Sequence, residues 1–185
     1  MRDTLKVDAR RWFVAGGLLL LMSITSLGYV QAAGLTAAEK YWLTYMREEE
    51  KLARDVYIFL YDKWGSPIFN TISLSEQKHM DAIKTLLDRY GIPDPAAGKA
   101  PGDFTNDEFK TLYYNLTEQG KVSLVEALKV GVFIEETDIA DLNEGIASAK
   151  HKDIKTVYSN LLQGSLNHLK AFVSELASNG VTYEP

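Results

Sequence analysis

Residues 75–79 read Ser75-Glu76-Gln77-Lys78-His79. The stretch lies inside a run that otherwise reads as an amphipathic helix, with Ile68, Ile72, Ile83, Leu86 and Tyr90 on one stripe. Glu76 and His79 fill the gap in that stripe. Steps of three and four residues keep all seven on one face of a 3.6-residue helix. A carboxylate and an imidazole three residues apart therefore point the same way, towards the side where apolar residues belong.

Three other segments repeat the pattern. The first helix carries Trp42, Met46, Glu50, Ala53, Tyr57 and Leu60. A later one carries Leu124, Leu128, Gly131, Glu135, then Asp138 or Ile139, Leu142 and Ile146. The last carries Ile154, Tyr158, Leu161, Ser165, His168, Phe172 and Leu176. In each, the polar residues fall near the middle of the stripe.

No segment alternates β-branched and polar residues with period two, so the pattern predicts an all-α chain. The first helix opens at Thr36, with Glu39 completing a capping box, and runs to about Lys63 before Gly65. Ser66-Pro67 starts the second, with proline at the first helical position. It stops at Tyr90-Gly91. A Pro- and Gly-rich loop follows over 91–103, "GIPDPAAGKAPGD". A short helix spans about 105–119. The third long helix begins after Ser123 and reaches about Ala149, and the fourth runs from about Asp153 to Ser178. Short links make the first and second long helices, and the third and fourth, antiparallel neighbours. The expected architecture is a four-helix bundle with an extra short helix in the connection between its second and third long members.

An ionised carboxylate buried alone costs several kcal/mol, on the order of the penalty for any unpaired buried ion. Several facing one another are worse. Glu50, Glu76, Glu135 and Asp138 carry four negative charges, which two divalent ions would balance, with His79 and His168 as nitrogen ligands. The plain readings are a capping box from Ser73 to Glu76, a satisfied core histidine at His168, and solvated charge runs at Glu48-Glu49-Glu50 and Glu135-Glu136. The capping box would leave Ile68, Phe69 and Ile72 off the helix whose stripe they continue. Mid-helix placement on all four inward stripes favours metal. His151, between Lys150 and Lys152 in the last turn, reads as surface.

The 185 residues suit one domain, and 46% hydrophobic content suits a sizeable core. The net charge of -5 argues against a nucleic-acid partner. With no cysteine, disulfides, thiolate metal sites and cysteine nucleophiles are excluded. Arg2, Lys6, Arg10 and Arg11 precede an apolar run from Trp12 to Val30 and a small-residue exit at Val30-Gln31-Ala32. Residues 1–32 are thus expected to be a cleaved export signal, or alternatively an uncleaved anchor, followed by one domain over 33–185. Arg10-Arg11-Trp12-Phe13-Val14 resembles a twin-arginine signal, although Ala9 stands where Ser or Thr is usual. Without its four bases and two acids, the remainder has a net charge of -7. The expected compartment is periplasmic or extracellular, with membrane contact only through the leader.

Glu50-Lys51-Leu52-Ala53-Arg54-Asp55-Val56-Tyr57 fits the pattern Glu-x-x-Ala-Arg-x-x-Tyr and resembles the first metal-binding helix of rubrerythrin-type ferritin-like proteins. The resemblance selects Glu50 as a terminal iron ligand and places Tyr57 just behind the ligands. Glu76-Gln77-Lys78-His79 resembles that family's second-helix Glu-x-x-His, Glu135 its third-helix glutamate, and Asp138 a further carboxylate. The phrases "EEEKLARDVY", "SEQKHMDAIKTLLDRYG" and "GSLNHLKAF" are most similar to a prokaryotic ferritin-like family known as domain of unknown function 2202. The resemblance implies a ferritin-like bundle over the whole mature chain. It departs in the fourth long helix, where Glu-x-x-His is replaced by Ser165-Leu166-Asn167-His168. A serine cannot bridge as a carboxylate does. An asymmetric metal pair, a single metal and a vestigial site all remain open.

The resemblance implies iron chemistry with dioxygen or peroxide at Glu50, Glu76, His79, Glu135 and His168, with Asp138 as a further candidate ligand and Tyr57 as hydrogen-bond donor or electron source. Without cysteines, a rubredoxin-like centre is excluded and electrons come from elsewhere. Two other expectations stand beside it: a non-catalytic protein that buffers or senses iron, manganese or zinc, and a metal-free helical interaction module. A homodimer is a further expectation.

Overall fold

The computed structural model describes residues 34–183; the expected export signal over 1–32 lies outside them. The described residues form five helices and no strand: α1 (Ala37–Trp64), α2 (Pro67–Tyr90), α3 (Asp107–Gly120), α4 (Leu124–Ser148) and α5 (Lys152–Ser178). This is the expected all-α bundle, four long helices with α3 in the α2–α4 connection.

The ends follow local chemistry. At α1 the Thr36 hydroxyl accepts from the Glu39 amide at 3.1 Å, and the Glu39 carboxylate accepts from the Thr36 amide at 2.9 Å. Gly65 closes α1 at φ 65°, a left-handed conformation that costs glycine little. α2 begins at Pro67 and ends at Gly91. Its start excludes a capping box from Ser73, whose hydroxyl instead bonds back to the Asn70 carbonyl within the helix. α3 starts two residues later than expected. Thr105 is occupied elsewhere, its hydroxyl donating to the Pro95 carbonyl and its amide to Glu48, so Asn106 caps the helix.

α1 packs along α2 and α4 along α5; α1–α4 and α2–α5 contacts close the bundle, and α3 lies against α1 and α4. The core falls into two apolar halves. One holds Leu52, Val56, Tyr57, Leu60, Phe69, Ile72, Leu128, Phe172 and Leu176. The other holds Leu43, Met46, Ile83, Leu86, Leu142, Ile154, Tyr158 and Leu161. On each long helix the polar mid-stripe residues separate the two, so a polar layer crosses the bundle at mid-height. Gly131 admits the Phe172 ring, which would lie 2.5 Å from any Cβ at that position.

The charge run around Glu48 is not solvated: Arg47, Glu48, Glu49, Glu50, Lys51 and Asp55 are all buried. Four of them anchor the 91–106 segment along α1. Arg47 grips Asp94 with two parallel hydrogen bonds of 3.0 and 2.9 Å. Lys51 donates to Asp55 and to the Ala100 carbonyl. Asp55 accepts the Gly102 amide, and Glu48 accepts the Thr105 and Asn106 amides.

His151, expected on the surface, is half-buried. Its Nδ1 lies 2.8 Å from Glu39, which also accepts the Lys150 and His151 amides. A buried carboxylate on α1 thus satisfies the start of α5, where backbone N–H groups lack helical partners. Among the described residues no helix is long and apolar enough to cross a membrane.

Candidate metal centre

The polar layer gathers Glu50 from α1, Glu76 and His79 from α2, Glu135 from α4 and His168 from α5. They form two triads, Glu50–Glu76–His79 and Glu76–Glu135–His168, each offering ligand atoms within 4.8 Å of one another. Glu76 belongs to both. Its Oε2 lies 2.8 Å from His79 Nδ1, and its Oε1 lies 2.9 Å from His168 Nδ1. Glu50 Oε2 approaches His79 Nδ1 at 3.2 Å, and Glu135 Oε2 approaches His168 Nδ1 at 3.4 Å. The two rings stack with centroids 5.5 Å apart.

Neighbouring side chains hold these groups in place. Tyr57 donates to Glu135 at 2.6 Å, reaching across to α4 instead of to Glu50 on its own helix. His168 Nε2 lies 3.0 Å from the Ser75 hydroxyl. His79 Nε2 faces Gly164, where a Cβ would come within 2.6 Å of it. Ser165 is fully buried and donates to Asp138 Oδ2. Asp138, expected as a further ligand, is buried in the same layer but belongs to neither triad.

Sequence reasoning did not find Ser75, Gly164 or Glu49. Ser75 and Gly164 sit beside recognised residues, but a serine or glycine there carries no signal of its own. The resemblance points to Glu50 alone, yet Glu49 beside it is buried as well.

The buried carboxylates and imidazoles of the layer shift one another strongly. Burial alone would lower His79, but the facing carboxylates of Glu50 and Glu76 outweigh it and push the ring up to about 11. His168 is pushed up to about 10 against the same burial by Glu135 and Glu76. Burial drives Glu50 and Glu135 upwards, with the histidines opposing. Glu76 is held well below the usual carboxylate range, its own burial outweighed by the two imidazoles.

The donor atoms also fit metal. Glu50 Oε1, Glu76 Oε1 and His168 Nδ1 are sealed from solvent and have no hydrogen-bond partner. His168 Nδ1 and Glu76 Oε1 are close yet misaligned for a hydrogen bond. Buried polar atoms are ordinarily satisfied; in the first triad His79 Nδ1 and Glu50 Oε2 do pair at 3.2 Å, whereas these three atoms are left over. Each triad presents two carboxylates and one imidazole, a set that suits iron, manganese or zinc.

Fold and site together define a helical bundle with a candidate carboxylate–histidine metal centre. The chain belongs to the family described as an uncharacterized protein domain, DUF2202, whose model matches residues 39–185. It is 52% identical over 151 residues to the uncharacterized protein MJ0754 of Methanocaldococcus jannaschii, covering 82% of each chain. The crystal structure of hypothetical protein MJ0754 superposes with a TM-score of 0.78 at 53% identity, covering 79% of this chain and 83% of that one. A DUF305 fragment from Deinococcus radiodurans shares the fold at a TM-score of 0.61 and 14% identity, covering 78% of this chain and 99% of the fragment.

Proposed function

We propose that this chain is a ferritin-like protein that holds two divalent cations, iron foremost, and carries out oxidase or ferroxidase chemistry on them. The observation that carries the reading is Glu76, whose two oxygens each face a different imidazole. Glu50 and His79 would hold one cation, Glu135 and His168 the other, and Glu76 both. Iron in this position would supply electron transfer to dioxygen or peroxide.

The chain's own contribution is to position and to exclude water. Tyr57 fixes the direction of Glu135, and Ser75 fixes His168 through the ring nitrogen that faces away from the carboxylates, a device common among metal-binding histidines. The apolar halves above and below keep bulk solvent from the layer. Both imidazoles must release protons before they can bind a cation.

A second reading rests on Ser165. With a hydroxyl in place of a carboxylate, and Asp138 tied to it, each cation has three donors and no reserve of charge, which suits holding or sensing metal without turnover. One experiment separates the two. The purified chain is loaded with Fe(II) without air, oxygen is admitted, and oxygen consumption is followed beside elemental analysis. Consumption beyond the metal-free control supports the enzyme; retained iron without consumption supports the buffer or sensor; no retained metal rejects both. Export from the cytoplasm is proposed on the leader alone and is tested by cell fractionation.

A further inference from the structure

Outside the two triads, the side-chain hydrogen bond that joins α1 to α2 among the described residues runs from Arg54 to Gln77, at 2.6 Å. It lies one turn from the first triad. Arg54 follows Glu50 by four residues, about 6 Å along the helix axis and on the same face. Gln77 adjoins Glu76 and precedes His79 by two residues. In an antiparallel pair a step forward on one helix is a step back on the other. Arg54–Gln77 and Glu50–His79 are therefore successive rungs of one seam.

Both ends of the link are held. Asp55 Oδ1 accepts Arg54 Nε at 3.0 Å and Nη2 at 2.7 Å, and Nη1 is left to reach α2. Asp55 is itself fixed, its other oxygen accepting from Lys51 and from the Gly102 amide. On α2 the Gln77 amide nitrogen donates to Asp81 at 2.8 Å, which turns the amide oxygen towards Arg54. A guanidinium engaged in this way is a fixed fork, and its bond to a neutral acceptor is charge-assisted.

Such a strut does what apolar packing alone does not. Apolar burial is non-directional, whereas ligand atoms need placing to within about 0.5 Å. Glu50 and His79 approach at 3.2 Å, so a small slip along the seam decides whether the first triad closes. The second triad draws Glu76, Glu135 and His168 from α2, α4 and α5, and takes no residue from α1.

We propose that Arg54 is a positioning residue for the first triad: through Gln77 it fixes the register of α1 on α2 and thereby holds Glu50 opposite His79. Its value for metal binding rests on the dimetal reading above; the placing of Glu50 does not.

The test compares the purified wild-type chain with Arg54→Met, Gln77→Met, Gln77→Glu and Arg47→Met, with circular dichroism confirming that each is folded. The chain has three histidines, so NMR resolves the ring nitrogens of each. In chelator, Arg54→Met and Gln77→Met should shift the His79 resonances and leave those of His151 and His168 in place. Gln77→Glu still accepts from Arg54 and should match wild type. Arg47→Met frees Asp94 without touching the strut, and should leave His79 unmoved. An unmoved His79 in Arg54→Met and Gln77→Met overturns the proposal, as does an equal shift of all three histidines or a like shift in Arg47→Met, which would mean general loosening. Mn2+ followed by electron paramagnetic resonance then reads the consequence for metal. Wild type should give the spectrum of an exchange-coupled pair. Arg54→Met should bind one of the two cations more weakly by roughly tenfold or more, and show an isolated Mn2+ instead. An unchanged pair in Arg54→Met, or equal weakening of both cations, overturns the role in metal binding. A wild type that holds no pair overturns the dimetal reading and leaves the spectra in chelator to decide the strut.

Discussion

Ser165 on α5 donates its hydroxyl hydrogen to Asp138 on α4, at the point where the resemblance to rubrerythrin-type proteins implies a fourth-helix carboxylate. The hydroxyl is not an idle replacement, because it occupies an oxygen of a buried acid whose other oxygen is already unpartnered. Ser165→Ala would leave both unpaired. In chelator, urea unfolding should show a loss of about 1–3 kcal/mol, the penalty for stranding a buried polar group. An unchanged midpoint would mean that Asp138 finds another partner.

Because Glu76 serves both triads, substitutions in the layer should differ in kind. Metal at roughly 100 times its dissociation constant stabilises a folded protein by about 2.7 kcal/mol. Thermal scans should show a metal-dependent rise for wild type, a reduced rise for His168→Ala and none for Glu76→Ala. Equal behaviour of the two variants would argue against a shared glutamate.

The metal-free centre should lose stability as pH rises. His79 and His168 are raised to about 11 and about 10, so the folded chain holds protons that the unfolded chain releases near 6.5. Their contribution is complete below that value and fades as pH climbs through 10 and 11. Glu50 and Glu135, also raised, act in the same direction at lower pH. Urea titrations in chelator should give a lower midpoint at pH 9 than at pH 7. Metal loading should release protons, detectable by calorimetry in buffers of different ionisation enthalpy.

Gly164 carries no ligand atom, yet a methyl group there would meet His79 Nε2 at 2.6 Å. Gly164→Ala should displace the ring and weaken metal binding by roughly tenfold, as loss of a ligand's support commonly does. Alanine suits a helix interior, but a displaced ring gives up its pairing with Glu50 and Glu76, so stability in chelator should fall as well. Isothermal titration with Mn2+ or Zn2+ checks the first, urea unfolding the second.

The layer was legible in the sequence because burial on a helix repeats every 3.6 residues, and Glu76, His79 and Glu135 interrupt that repeat where apolar residues are due. Spacing could not separate Glu49 from Glu50. Adjacent residues on a helix between two neighbours can both be buried, one facing each side, and here they are. Arg47, Glu48, Lys51 and Asp55 were illegible for a different reason. Glu48, and Asp55 beside its local partners Lys51 and Arg54, accept backbone amides 47–58 residues away, and backbone carries no side-chain pattern to read; Arg47 pairs with Asp94, 47 residues away in a loop with no helical period. His151 failed likewise, since its partner Glu39 lies 112 residues away and already had a local role as a cap.

The crossover from α2 to α3 is fastened chiefly by its main chain, through the Ala100 carbonyl and the amides of Gly102, Thr105 and Asn106. Its route is therefore written on α1, not on the crossover. The exposed side chains of Ala97 and Ala100 are free to vary between relatives without rerouting the strap, whereas a change at Glu48, Lys51 or Asp55 would unmoor it although the strap's own wording is untouched.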